Sequence, residues 1–99
     1  LVMDEPCSGL DLGNQVRILG VIRDLARDGY AVLLTSHLPD HAFQLGGLAA
    51  LLKNGRMRGP APADALLDAE LLGDLYDTPI AVIRAGDGRR VCVPVIPGS

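Results

Sequence analysis

Two adjacent carboxylates near the start of the chain, Asp4 and Glu5, are well placed for chemistry. They follow the apolar residues 1–3, and Pro6 after them lacks the N–H that would continue a sheet. At the carboxyl end of a parallel strand, Asp4 would face the crevice in which α/β sheets bind ligands, and its hard oxygens suit Mg²⁺. The chain turns at the strand end, so both carboxylates can approach one phosphate. A lone acid in this place is more often a solvated surface group. The neighbouring motifs therefore decide between that interpretation and a role in binding or catalysis.

A short turn follows the carboxylates and consists of Ser8, Gly9, Leu10 and Asp11. Gly9 has no side chain, which lets another molecule approach the backbone closely. Asp11 is a candidate N-cap of the next helix, because its short side chain can accept a hydrogen bond from the first N–H groups of that helix. The sequence leaves two roles open for Asp11, as a helix cap and as part of a contact surface.

Histidine supplies the second group capable of chemistry. His37 follows the apolar residues 31–35 and lies 32 positions after Glu5. An isolated histidine after a strand is more often structural or solvated, so its role depends on the carboxylate motif upstream. His41 lies four residues later, and this spacing could place two imidazoles on one metal ion. No acid or cysteine completes such a site.

A strand–helix–strand unit is predicted to position these groups. Apolar residues recur at helical spacing between 14 and 28, and Gly29 suits the left-handed end of that helix. Residues 31–35 form a short, continuously apolar run, which is typical of a parallel strand covered on both faces. The order of the elements implies a right-handed βαβ crossover. The predicted apolar positions of the helix are Val16, Ile18, Leu19, Val21, Ile22, Leu25 and Ala26.

The rest of the chain is predicted to form short elements. Asn54-Gly55 is a strong hairpin signal, whereas residues 59–62, which alternate glycine or alanine with proline, break the strand pattern. Asp68 is a candidate N-cap for one of the later helices. The predicted elements are helices at 39–45, 64–67 and 69–76, strands at 48–53 and 56–58, and a hairpin of strands 80–85 and 90–95 around Asp87-Gly88.

Taken in order, the apolar strand with its two carboxylates, the Ser-Gly-Leu-Asp turn and the later Ser-His resemble the Walker B strand, D-loop and H-loop of ABC-type ATPases. The resemblance implies an α/β fold, the C-terminal part of a P-loop NTPase domain. It also implies that Asp4 binds Mg²⁺ through water, that Glu5 polarises the water that attacks ATP, and that His37 contacts the γ-phosphate.

The D-loop of this family crosses the interface of a head-to-tail dimer, close to the phosphates bound by the partner. The resemblance therefore implies an interface role for Ser8, Gly9, Leu10 and Asp11. Cys7 departs from the family pattern, which usually has threonine or a similar small residue at that position. Because cysteine has a similar size, we expect the loop to form with weaker hydrogen bonding.

Several further stretches resemble the ATPases of importers for iron–siderophore complexes, haem and cobalamin. That likeness implies that ATP hydrolysis is coupled to uptake of a metal chelate. It implies a second ATPase subunit in a homodimer, transmembrane permease subunits, and a peripheral location at the cytoplasmic face of the membrane. The stretches are residues 10–16, 39–42, 51–55, 59–62, 71–72 with 75–76, and 89–94.

Two motifs of this family, the phosphate-binding GxxxxGK[ST] loop (Walker A) and the LSGGQ-type signature, have no counterpart among the 99 residues. In the family both precede the Walker B strand. We therefore expect a fragment that binds ATP and Mg²⁺ poorly, is inactive alone and self-associates through an unpaired sheet edge. Residues 1–58 are predicted to be the Walker B to H-loop part of the ATPase core, and residues 59–99 its C-terminal short helices and hairpin.

Composition narrows the function classes further. The net charge of −3 offers no basic face for nucleic acid, and no apolar run approaches the roughly 20 residues that span a bilayer. The two cysteines, Cys7 and Cys92, lie far apart and match no metal-binding spacing. Two alternatives stay open, namely a non-transport ABC ATPase and a nucleotide-free interaction or regulatory module.

Overall fold

The computed structural model of the chain describes residues 1–96 and residue 98. The chain divides into two compact units, Leu1–His41 and Ala42–Ser99, and each is described by itself. Within the described residues, no helix has both the length and the apolar character needed to cross a bilayer.

The first unit holds the predicted strand–helix–strand motif. Strand β1 (Val2–Asp4) is followed by helix α1 (Leu12–Arg27) and strand β2 (Leu33–Thr35). The two strands pair in parallel, and the register sets Asp4 opposite Thr35. The long connection through a helix is what parallel pairing requires, because a tight turn can only return the chain antiparallel.

Helix α1 has a defined hydrogen-bonded cap at each end. The carboxylate of Asp11 accepts a hydrogen bond from the N–H of Asn14 at 2.8 Å, which starts the helix two residues earlier than predicted. At the other end, Gly29 has a φ of +96°. The N–H of Gly29 donates to the carbonyl of Ala26, and the N–H of Tyr30 donates to that of Leu25. This is the paired bonding of a Schellman motif, and it confirms Gly29 as the left-handed end of α1.

The apolar surface of this unit is only partly buried. Leu19 and Ile22 of α1 are buried as predicted, whereas Val16 keeps 62 % of its surface exposed. Leu33 on β2 is 66 % exposed, so β2 is not covered on both faces as the sequence suggested. The described residues supply only two strands to this sheet, which leaves apolar side chains without cover.

From residue 39 onward the chain forms short helices and two hairpins. The strands pair in sequence order, β3 with β4 and β5 with β6, and both pairs are antiparallel. The elements are α2 (Pro39–Leu45), β3 (Leu48–Lys53), β4 (Arg56–Pro62), α3 (Ala63–Leu66), α4 (Ala69–Tyr76), β5 (Ile80–Arg84) and β6 (Arg90–Pro94).

Strand β4 is longer than the sequence predicted. The turn at Asn54 and Gly55 forms as expected, with both residues at positive φ, as a type I′ turn requires. The strand then continues through residues 59–62, where the sequence indicated a break. A register shift between Ala49 and Leu51 accommodates the irregular stretch. Proline is tolerated there because β4 lies at the edge of a two-stranded sheet, where a missing N–H leaves no partner unbonded.

The core of the second unit is small and mainly aliphatic. It is formed by Phe43, Ala63, Leu67 and Leu72, and Leu72 is fully buried. Asp68 caps α4 as predicted, since its carboxylate accepts from the N–H of Leu71 at 2.8 Å. This cap fixes the start of the helix that delivers Leu72 to the core.

Candidate functional site

Parallel pairing of β1 and β2 brings the two predicted catalytic residues together. Because Asp4 lies opposite Thr35, the residues that follow each strand emerge at the same edge of the sheet. Nδ1 of His37 lies 2.9 Å from Oε1 of Glu5, although the two residues are 32 positions apart. Both side chains remain partly exposed, so the pair is accessible from solvent.

Thr35 is a residue of this site that the sequence reading missed. Its hydroxyl donates to Oδ1 of Asp4 at 2.5 Å and accepts from the N–H of Glu5 at 3.0 Å. One hydroxyl therefore fixes the Asp4 side chain and the Glu5 backbone at once. The available signal was its place as the last residue of β2, directly across from the Asp4 position.

The backbone of Glu5 explains how two neighbouring carboxylates, those of Asp4 and Glu5, can both lie at the carboxyl end of the sheet. Successive side chains of a strand point to opposite faces. Glu5 has a φ of +43°, in the left-handed region that residues other than glycine seldom occupy. This conformation ends β1 abruptly and turns the Glu5 side chain toward His37.

The turn after Glu5 is held by its own backbone. The N–H of Ser8 donates to the carbonyl of Glu5, and the N–H of Leu10 donates to that of Cys7. Gly9 takes a φ of +77° within it. Asp11 then caps α1, which confirms the first of its two open roles; its role at a dimer interface stays a prediction.

Cys7 is the buried residue of this turn, with 5 % of its surface exposed. Its Sγ lies 3.9 Å from the carbonyl oxygen of Gln15 on α1. Burial raises the pKa of the Cys7 thiol above its ordinary value, so the neutral thiol is favoured. Cys7 therefore packs as a small apolar residue at the position where the resembling family usually has threonine.

A cleft of about 70 Å³ connects the turn with the loop that carries His37. Sites for drug-sized ligands usually measure about 300–1,000 Å³, so this cleft by itself is too small to enclose such a ligand. Asp4 does not line the cleft. The lining residues are Glu5, Cys7, Ser8, Gly9, Gln15, Ser36, His37, Leu38 and His41.

His41 lines this cleft and is buried, with 6 % of its surface exposed. Nδ1 lies 2.7 Å from Oγ of Ser36, and Nε2 lies 3.3 Å from Oε1 of Gln15. Burial lowers the pKa of His41, the nearby Asp40 opposes this shift, and His37 adds to it. Both ring nitrogens thus have protein partners, which argues against a metal ion shared with His37. Sequence reasoning missed Gln15 and Ser36, because nothing in their spacing indicates that they meet.

The site suits a magnesium ion held mainly by water and phosphate. Mg²⁺ in proteins commonly binds one or two carboxylates and keeps several waters. Asp4 offers an exposed carboxylate with one oxygen fixed by Thr35, which fits that pattern. Over residues 1–96 and 98, no three His, Cys, Asp or Glu side chains form a cluster that could enclose a metal by themselves.

Known proteins match this chain closely in sequence and in fold. The hemin import ATP-binding protein HmuV of Nocardia farcinica is 35 % identical over 96 residues, which are 96 % of this chain and 33 % of that protein. A solved structure, described as an inward-facing metal-chelate type ABC transporter, superposes with a TM-score of 0.84 at 25 % identity. The match covers 97 % of this chain and 39 % of the solved one. The chain is a homologue of part of the ABC-type ATPases.

Its α/β fold, a partial P-loop NTPase domain, is thereby confirmed. The ribose import ATP-binding protein RbsA 2 of Streptomyces avermitilis is 33 % identical over 95 residues, which cover 88 % of this chain and 18 % of that protein. No family model matches the chain. This chain spans about a third or less of the length of these curated relatives.

Proposed function

We propose that this chain is part of the ATP-binding subunit of an importer that couples ATP hydrolysis to uptake of a metal chelate, of the iron–siderophore, haem or cobalamin class. The contact between Glu5 and His37 carries the proposal, because it joins a general base to an imidazole at the edge where the Walker B strand ends. The hemin import relative and the metal-chelate type structure support the cargo class. The ribose import relative makes cargo the part of the proposal that most needs a direct test.

In this proposal the three polar residues at the sheet edge have separate tasks. Asp4 holds Mg²⁺ through a water molecule, and the Thr35 hydroxyl keeps its carboxylate oriented. Glu5 accepts a proton from the water that attacks ATP, a role typically worth about 10²–10⁴-fold in rate. His37 orients Glu5 from its side and contacts the γ-phosphate. Bound Mg²⁺ would neutralise the negative charge that develops on the phosphates.

The turn formed by Ser8, Gly9, Leu10 and Asp11 is proposed to face a second ATPase subunit in a homodimer. Ser8, Gly9 and Asp11 are exposed, and no group apart from its chain neighbours lies within 4 Å of the Cβ position of Gly9, so its backbone is open to close approach. Transmembrane permease subunits complete the proposed assembly, which places the chain at the cytoplasmic face of the membrane as a peripheral protein. No nucleic acid is proposed as a partner.

The 99 residues are proposed to act only together with a phosphate-binding loop and a signature motif. Without a lysine-bearing loop, Asp4, Glu5 and Asp11 concentrate negative charge where phosphates would bind. We expect residues 1–99 alone to bind ATP weakly, to lack activity and to self-associate. Within the parent domain, residues 1–58 would serve the Walker B to H-loop core, and residues 59–99 its C-terminal helices and hairpin.

The test is a carboxylate-to-amide exchange in the full gene product that contains these residues. Glu5→Gln keeps the shape of the side chain and removes its proton-accepting charge. We expect Mg²⁺-dependent ATP hydrolysis to fall by at least about 10²-fold while ATP still binds. The matched control is Glu70→Gln, an exposed position at the start of α4, which should hydrolyse ATP normally. Equal activities of the two variants would disprove the proposed role of Glu5.

A further inference from the structure

A series of hydrogen bonds links the turn after Glu5 to the loop that carries His37. It begins at the carbonyl of Leu10, in the turn, where Nε2 of Gln15 donates at 2.9 Å. It continues from Oε1 of Gln15 to Nε2 of His41, and from Nδ1 of His41 to Oγ of Ser36. It ends where the N–H of Leu38, the residue after His37, donates to the same Ser36 oxygen at 3.1 Å.

The direction of every bond in this chain follows from its two ends. The Leu10 carbonyl only accepts, so Gln15 must present its NH₂ group there and its oxygen to His41. His41 must then donate from Nε2. In a neutral imidazole the other nitrogen is an acceptor, so Nδ1 accepts from the Ser36 hydroxyl.

The Ser36 oxygen keeps a lone pair for the N–H of Leu38, which can only donate. With His41 neutral, this arrangement of protons satisfies every group in the sequence of bonds. The Ser36 hydroxyl also lies 3.4 Å from the carbonyl oxygen of Leu38, a longer contact than the 2.7 Å to Nδ1 of His41. His41 is the buried member of this network, and Ser36 and Leu38 are exposed. A satisfied network is rigid, and removal of Gln15 or Ser36 would leave a buried ring nitrogen of His41 without its protein partner.

We propose that Gln15 and His41 are positioning residues, which hold the loop carrying His37 in register with the turn at Cys7–Leu10. His41 acts as a neutral imidazole with its proton on Nε2. The turn follows Glu5 and bonds to its carbonyl, and His37 contacts its side chain, so a displacement of either loop would change the Glu5–His37 distance. The inference rests on the proposed function in one respect, that the Glu5–His37 contact serves ATP hydrolysis.

The first experiment tests the network without any need for activity. Proton–nitrogen correlation spectra of the ¹⁵N-labelled full gene product report which ring nitrogen of His41 carries the proton. We expect the Nε2–H form at neutral pH, and a shift of the His37 ring signals in Gln15→Leu. An Nδ1–H tautomer, or unchanged His37 signals, would overturn the proposed positioning.

The second experiment tests the consequence for catalysis with Gln15→Leu and His41→Leu, singly and combined. We expect kcat for ATP hydrolysis to fall about tenfold or more in each, with KM for ATP nearly constant, because small misplacements of reacting groups are costly. The double variant should lose no more than the worse single one, since both break one network. The control is Gln44→Leu, an exposed glutamine on α2 that should keep wild-type kcat.

A variant that only weakens the fold would lower the melting temperature and leave kcat per folded molecule unchanged, which would count against positioning. Should His41→Leu fail to fold, His41→Gln replaces it, because a glutamine amide can still donate to Gln15 and should recover part of the activity. Absence of hydrolysis in the unmodified protein would refute the proposed function alone, since the tautomer measurement is independent of it.

Discussion

Nδ1 of His37 and Oε1 of Glu5 lie 2.9 Å apart at the edge of a two-stranded parallel sheet. Neither residue belongs to a strand, and each follows one by a residue or two. Their contact therefore depends on the register between Asp4 and Thr35 and on the turn that each loop makes afterwards. Changes to the groups that hold the strand register or the two loops should therefore alter the distance between Glu5 and His37.

Replacement of Thr35 by valine should impair the site with a modest loss of stability. The change removes the hydroxyl that bonds both Asp4 and the Glu5 backbone. We expect a loss of about 1 kcal/mol in the free energy of unfolding. We also expect weaker binding of Mg²⁺, measured as a higher Mg²⁺ concentration for half-maximal ATP hydrolysis. Denaturant unfolding and a Mg²⁺ titration of ATP hydrolysis measure the two effects. Thr35→Ser keeps the hydroxyl and should stay close to wild type, so equal defects in both variants would contradict this role.

Loss of the Asp11 cap should destabilise α1. Asp11→Ala removes the oxygen that accepts from Asn14, and we expect a cost of about 1 kcal/mol in unfolding free energy. Asp28 is the natural control, since it lies at the opposite end of the same helix. A negative charge there opposes the helix dipole, so Asp28→Ala should be neutral or slightly stabilising. A cost for Asp28→Ala as large as that for Asp11→Ala would rule out the capping explanation.

The thiol of Cys7 should react slowly with alkylating reagents in the folded protein. Only the thiolate is nucleophilic, and burial both shields Cys7 and raises its pKa. We expect iodoacetamide to label Cys7 much more slowly than after unfolding in denaturant, with the native rate rising only at alkaline pH. Mass spectrometry of labelled peptides over time gives the rates. Rapid native labelling near neutral pH would show that the turn opens readily.

Stability should fall as the solution is acidified through the range in which His41 titrates in the unfolded chain. The folded state lowers the pKa of His41 below its ordinary value of 6.5, chiefly because the ring is buried. As pH falls below that value, the unfolded chain takes up the proton first. The free energy of unfolding therefore decreases until the pH reaches the pKa of His41 in the folded state. Above the ordinary value, the contribution of neutral His41 is fully present.

The measurement is denaturant unfolding at about pH 7.5 and about pH 5.5, for wild type and His41→Gln. The wild type should lose more stability between the two values than the variant, because glutamine does not titrate. The charged groups around the imidazole act in opposite directions, with Asp40 raising its pKa and His37 lowering it. Equal losses in both proteins would mean that His41 titrates alike in the folded and unfolded states.

Local patterns predicted most of the elements correctly. Asp11 and Asp68 cap the helices they were expected to cap, and Asn54-Gly55 forms its turn, because each effect depends on a few neighbouring residues. The strand through residues 59–62 was missed, because edge position and a bulge override the usual exclusion of proline. Local sequence carries no information on either.

The site was predictable only to the extent that strand ends must converge. Asp4, Glu5 and His37 could be placed near one another, since the carboxyl ends of parallel strands share an edge. The place of Thr35 at the end of β2 was a signal that could have been used, whereas the part played by Gln15 could not be predicted, because its partner is set by three-dimensional placement. Gln15 contacts a histidine 26 positions away, and no periodicity indicates that pairing.

The left-handed backbone of Glu5 implies that stability and the proposed catalytic role favour different residues at this position. Glycine would adopt a φ of +43° without steric cost, whereas an ordinary side chain there costs about 1–2 kcal/mol. Under the proposed role of Glu5, Glu5→Gly should therefore yield a protein that is harder to unfold and does not hydrolyse ATP. This holds where the removal of backbone strain stabilises the fold by more than the lost contact with His37 did. Selection for heat resistance alone would then favour glycine at this position, whereas selection for the proposed ATP hydrolysis would keep the glutamate.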